Sequence, residues 1–135
     1  MRGSDCRIFS SDMKIRIESL DIFYYPDLSV TCNPNDRHKY FKKYPCLIVE
    51  TLSPSTERVD RNEKLLNYRQ LESLQEYVLI SQDRPQIEIY RNQSQGKWHL
   101  EVLGYDDTLH LQSLGLEMTV AQIYEDVDFE SVGSE

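Results

Sequence analysis

Cys46-Leu47-Ile48-Val49-Glu50-Thr51-Leu52 is the stretch on which the fold turns. Its apolar residues run on without alternation, which is what a strand covered on both faces requires, so the segment predicts a central strand. Glu50 breaks the run. A carboxylate in such a place is costly unless it is paired, hydrogen-bonded or metal-bound, so this residue is where chemistry is to be sought.

Downstream, Ser53-Pro54-Ser55-Thr56 reads as a loop leading into a helix over about Asp60 to Glu72, with Asp60 and Glu63 at capping-box spacing. Strands follow at Glu76 to Ser81, Gln86 to Arg91 and Lys97 to Leu103, the last two separated by Asn92-Gln93-Ser94-Gln95-Gly96 as a hairpin. A short strand is expected at Leu109 to Leu111, and Thr119 can cap a final helix reaching Tyr124. Upstream, Asp12 to Glu18 and Phe23 to Cys32 alternate apolar and polar residues, as half-buried strands do, and Asn33-Pro34-Asn35-Asp36 is a turn signal. Strands, one long helix, then strands again predict an α+β fold: a mixed sheet with a helix on a face.

The chain has 135 residues and a formal net charge of -8. Its length fits a single domain over 1–135, with 1–5 and 128–135 expected to be flexible. No apolar run is long enough to span a bilayer, and no apolar signal core follows Met1. A cytoplasmic location without membrane association is the expectation. The three cysteines, Cys6, Cys32 and Cys46, are an odd number in a chain too large to need disulfides and show no zinc-ligand spacing; Cys32 and Cys46, among apolar neighbours, are expected as small core residues in a reducing compartment. The charge is unevenly placed: residues 1–69 hold 12 basic and 10 acidic side chains, residues 70–135 hold 3 and 13. A nucleic-acid contact must therefore come from the first half or through bound metal.

Three residues form a candidate constellation. Asp27 opens a strand, Glu50 interrupts a buried one, and Lys64 falls on the helix face that also carries Tyr68 and Leu71. Two carboxylates at neighbouring strand ends make a hard oxygen site suited to Mg²⁺ or Mn²⁺. Each residue also has a plainer role open to it. Asp27 can cap a turn, Glu50 can pair with another base, and Lys64 can lie along the helix rim. Arg37-His38-Lys39-Tyr40-Phe41-Lys42-Lys43-Tyr44 interleaves cations and rings, as a phosphate-contacting, base-stacking surface would; it also fits a solvated loop with aromatic anchors.

The runs Tyr25-Pro26-Asp27-Leu28-Ser29-Val30, Leu47 through Thr56, Asp60 through Tyr68, and Gln75-Glu76-Tyr77-Val78-Leu79 together resemble the Uma-type restriction endonuclease family of the PD-(D/E)XK nuclease superfamily. The resemblance covers roughly Cys6 to Val127. It implies a restriction-endonuclease-like mixed sheet flanked by helices, with the family's usual N-terminal helix missing here. It implies metal-dependent hydrolysis of DNA phosphodiester bonds, with Asp27, Glu50 and the Thr51 carbonyl as ligands of Mg²⁺ (or Mn²⁺). Superfamily members usually carry the lysine two residues after the second carboxylate, where this chain has Leu52; Lys64 matches the migrated position on the following helix. Asn62 stands where the family often has glycine. Tyr68 would support the site, and Arg37, Lys39, Lys42 and Lys43 would contact DNA. A homodimer is expected, since two sites about a two-fold axis suit double-strand cutting. The alternative is an inactive interaction module that retains the fold.

Overall fold

The computed structural model describes residues 6–94 and 96–125. The ends expected to be flexible, 1–5 and 128–135, lie outside the described residues. The strands are β1 (Arg7–Ser10), β2 (Lys14–Ile17), β3 (Ile22–Tyr24), β4 (Leu28–Thr31), β5 (Phe41–Lys42), β6 (Pro45–Leu52), β7 (Glu76–Ser81), β8 (Ile87–Ser94), β9 (Lys97–Leu103), β10 (Thr108–Leu111) and β11 (Leu116–Thr119). Six of them form one sheet in the order β1-β4-β6-β7-β8-β9. Within this sheet, among the described residues, β6 and β7 are the one parallel pair; the neighbours on either side are antiparallel.

The central position expected for Cys46–Leu52 is the one observed. β6 alternates between two cores: Leu47 belongs to one cluster with Val78, Ile87, Ile89, Leu109 and Val120, and Ile48 and Leu52 to the other with Tyr68, Leu71, Tyr77 and Leu79. The first core is roofed by the β10–β11 hairpin and α3 (Val120–Ile123). The second is roofed by the helix that crosses from β6 to β7 and by a small sheet, β3-β2-β5. Fully burying each Leu or Ile contributes about 1.5–3 kcal/mol, so the two clusters hold the three layers together.

A parallel pair needs a crossover, and here it is helical. It begins as α1 (Glu57–Val59), widens into a π-helical stretch at Asp60–Lys64 and ends as α2 (Leu65–Tyr68). The expected capping box is not formed. Asp60 lies inside the helix, 2% exposed, because its side chain is drawn inward rather than back onto the first turn. At the other end, Thr119 and Gln122 do form a capping box on α3.

Two further expectations are corrected. The run Phe23–Cys32 is not one strand: β3 and β4 belong to different sheets, broken at Tyr25–Asp27. Pro26 there has no N–H for a ladder. The cysteines are not all reduced: Cys6 is disulfide-bonded to Cys32, while Cys46 is free and buried, its Sγ 3.5 Å from that of Cys32. The antiparallel register that sets Arg7 opposite Thr31 places the two paired cysteines opposite one another.

The hairpin roof is fastened by Glu76, 1% exposed. Its carboxylate accepts from the Gln112 and Ser113 main-chain N–H groups (both 2.9 Å), the Ser113 hydroxyl (2.6 Å) and Arg91 (3.2 Å). Four donors on one buried carboxylate offset its desolvation.

Candidate active site

The register of β4 on β6 sets Leu28 against Val49, so the next pair outward brings Asp27 to Glu50. The main-chain N–H of Asp27 donates to Glu50 Oε1 at 3.2 Å. In return, Asp27 Oδ2 accepts from the Thr51 N–H at 2.7 Å and the Thr51 hydroxyl at 2.9 Å. The two strand ends are thus tied reciprocally. Asp27 is exposed, with Oδ1 free of hydrogen bonds to described residues.

Glu50 shares the face of Ile48 and Leu52 and so points under the crossover helix. Lys64 comes down from that helix, its Nζ 3.1 Å from Glu50 Oε2 and 3.0 Å from Asp60 Oδ1. The Asp60 contact is a close ion pair, since Oδ1 lacks the angles of a directed hydrogen bond. The Lys64 side chain is 21% exposed against 4% for Glu50, so the amine neither snorkels away nor is sealed in. Burial pushes the Glu50 carboxyl above its usual range, and Asp60 adds to this, with Lys64 opposing both. For Lys64, burial alone would lower the pKa; the Glu50 and Asp60 carboxylates outweigh it and raise it. The group therefore remains an ammonium.

A column of rings lies beneath. Lys64 Nζ is 5.6 Å from the Tyr24 ring, Tyr24 is 5.1 Å from Tyr68, and Tyr68 is 5.3 Å from Tyr77. The Tyr77 hydroxyl donates to the Asp60 carbonyl at 3.0 Å, and Asn67 donates to the Tyr24 hydroxyl at 2.7 Å. Tyr68 is wholly buried, its hydroxyl has no hydrogen-bond partner among the described residues, and burial raises its pKa strongly. It packs the site and holds its proton.

The basic segment divides. Arg37 and Lys39 are exposed, and Lys43 is half-buried, 2.8 Å from Glu18. Lys42 departs from the surface role expected of it. It is 3% exposed and donates to the Asp36 and His38 carbonyls at 3.2 and 2.6 Å. Those carbonyls, in a loop without a ladder of its own, need the donor. The segment also sits at the Pro45 end of β6, five residues from Glu50, or about 16 Å along the strand.

Residues 1–121 match the model of the Uma2 family, described as "Putative restriction endonuclease". The chain belongs to this family. The uncharacterized protein slr1290 of Synechocystis sp. is 42% identical over 94% of this chain and 67% of its own length. A second protein of that organism, sll1609, is 36% identical over 72% of this chain and 57% of its own. The chain thus spans only part of each relative. The fold is that of a crystal structure described as a "putative nuclease belonging to DUF820" from Anabaena variabilis, with a TM-score of 0.72 at 19% identity, covering 92% of this chain and 70% of that one. Asp60 and Tyr24 escaped the reading of the sequence as site residues. The i,i+4 spacing of Asp60 and Lys64 was a visible sign for the first; Tyr24 carried none.

Proposed function

We propose that the protein is a metal-dependent endonuclease that hydrolyses DNA phosphodiester bonds at Asp27, Glu50 and Lys64. The observation that carries this reading is Glu50: a carboxylate in the central strand, tied to Asp27 on one side and to an ammonium on the other. Such a group is costly to keep unless it has work to do.

The donor set suits Mg²⁺ or Mn²⁺. Among the described residues no three His, Cys, Asp or Glu side chains converge as a metal cage. Mg²⁺ does not need one, since it binds one or two carboxylates and keeps water and phosphate in its other positions. Asp27 through Oδ1, Glu50 and the Thr51 carbonyl would hold it. When bound, it supplies an acidified water and neutralises phosphate charge. Thr51 holds Asp27 in place from its N–H and hydroxyl. Lys64, protonated, donates hydrogen bonds to the attacking water or to a phosphate oxygen and balances charge there. Asp60 holds Lys64 at its post. Arg37, Lys39 and Lys43 would meet phosphates farther along the DNA, and a homodimer would cut both strands.

Plasmid cleavage with Mg²⁺ or Mn²⁺ tests the proposal. Metal-dependent cutting that is lost in Asp27→Asn and at least a hundredfold slower in Lys64→Ala is expected. Absence of cutting by the wild-type chain with either metal, or cutting that survives Asp27→Asn, overturns it.

A further inference from the structure

The small sheet has one face on the core and one in the open. Ile15 and Ile17 point inward, fully buried; Lys14 and Arg16 stand on the other side, with Phe23 beside them at 42% exposure. Cations and rings interleave across this outer face. Lys14 Nζ lies 4.7 Å from the Phe23 centroid, and Phe23 meets Phe41 edge-on at 5.8 Å. Phe41 stacks on His38 at 3.7 Å with planes 16° apart, and Arg16 reaches to 5.8 Å from it. Tyr40, 66% exposed, carries the Lys39 ammonium 6.0 Å from its ring.

This face runs on into the site. Phe23, Tyr25 and Asp27 are exposed in alternation with Tyr24, which lies against Lys64, and Pro26. From Phe23 to Asp27 is about 13 Å of extended chain. Glu18 and Asp21 lie at the rim and engage Arg16 at 3.7 and 3.4 Å. Lys14 and Lys39 have no ion-pair partner among the described residues, so positive charge is left uncompensated in a chain of net charge -8.

We infer that the outer face of β3-β2-β5, through Phe23, Phe41, Tyr40, Lys14 and Lys39, is a stacking platform for an unpaired nucleic-acid strand that leads into the Asp27–Glu50–Lys64 site. The inference rests on the nuclease reading for its destination but not for its chemistry. In a duplex the base faces are spent on one another, and rings proud of a sheet find no partner there. Unpaired bases offer their faces to such rings, and cations set between the rings meet the phosphates that join those bases.

Fluorescence anisotropy with a labelled oligothymidylate of about 16 nucleotides, the upper range for one small binding domain, tests this in EDTA so that no cleavage intervenes. The full chain is expected to bind the single strand at least about tenfold more tightly than a duplex of equal length. Phe23→Ala and Tyr40→Ala should each weaken it by about tenfold. Lys14→Ala should flatten the salt dependence by about 0.7 in log–log slope. Circular dichroism checks that these exposed-site variants fold. Equal or tighter duplex binding, or wild-type affinity in both aromatic variants, overturns the inference. Asp27→Asn separates the two readings, since it should abolish cutting and leave oligothymidylate binding unchanged. Metal-dependent plasmid cutting without oligothymidylate binding removes the platform and leaves the nuclease. Ring-dependent binding without cutting removes the nuclease and leaves the platform.

Discussion

Replacing Lys64 by methionine keeps the length of the side chain and removes its charge. Glu50 and Asp60, with side chains 4% and 3% exposed, would then face each other's charge without the ammonium between them. Removing one partner of a buried ion pair costs about 3–5 kcal/mol; the 21% exposure left to Lys64 argues for the lower end, about 3 kcal/mol. For a domain of this size roughly 4 °C of melting temperature goes with each kcal/mol, so a fall of about 12 °C at neutral pH is expected in differential scanning calorimetry. The pH dependence carries the diagnosis. Burial holds the folded pKa of Glu50 above the ordinary 4.5, so the folded state holds more protons than the unfolded one in that window and stability falls as pH rises through it. Without Lys64 the window extends upward, and the deficit of the variant should shrink as pH is lowered and Glu50 takes up its proton. Adding Glu50→Gln should recover part of the loss. A change below about 3 °C, or one that is the same at about pH 5 and about pH 8, would refute the account of Lys64 as the counter-charge of a buried pair.

Isothermal calorimetry with Mn²⁺ should show weak binding that strengthens as pH rises through the raised Glu50 pKa and disappears in Asp27→Asn; an unchanged signal in that variant would exclude Asp27 as a ligand. Tyr68→Phe removes a buried hydroxyl that has no partner among the described residues, so stability within about 1 kcal/mol of wild type and full plasmid cutting are expected, with loss of cutting arguing for a chemical role. Reducing the Cys6–Cys32 bond frees a loop of sequence separation 26, and thermal unfolding with and without reductant should differ by about 3 kcal/mol. Lys42→Met leaves the His38 carbonyl short of a donor, while Arg7 still serves that of Asp36, and should cost about 1–3 kcal/mol in urea unfolding, where an exposed phosphate-binding lysine would cost almost nothing.

What the sequence made legible follows from where each signal comes from. β6, β7 and β8 were readable because burial on a sheet leaves an apolar run or alternation in the residues themselves. Glu50 stood out for the same reason, as the one charge inside such a run. Lys64 followed from helical periodicity, although the helix starts earlier and ends sooner than its pattern suggested, and a π-helical turn lies inside it. The rest depended on partners distant in sequence. Pro26 is a local mark of the break at Tyr25–Asp27, but which sheet each side joins is set by partners distant in sequence, among them the Thr51 N–H that donates to the Asp27 carboxylate. Lys42 reads as a surface cation among Lys39 and Lys43 until the loop carbonyls that need it are in place. β1 and β5 are short and take their stability from the strands beside them, and the Cys6–Cys32 bond depends on β1 being paired at all.

Every proposed site residue lies in the first half of the chain, yet the second half is what closes the centre. β7 occupies the free edge of β6, and the Tyr77 hydroxyl secures the Asp60 carbonyl from below. A nascent chain that has not yet delivered Ser81 from the ribosome therefore has its acids and its amine but no frame to hold them together. A product released before that point carries the proposed site residues in its sequence and lacks the strand pairing that would frame them.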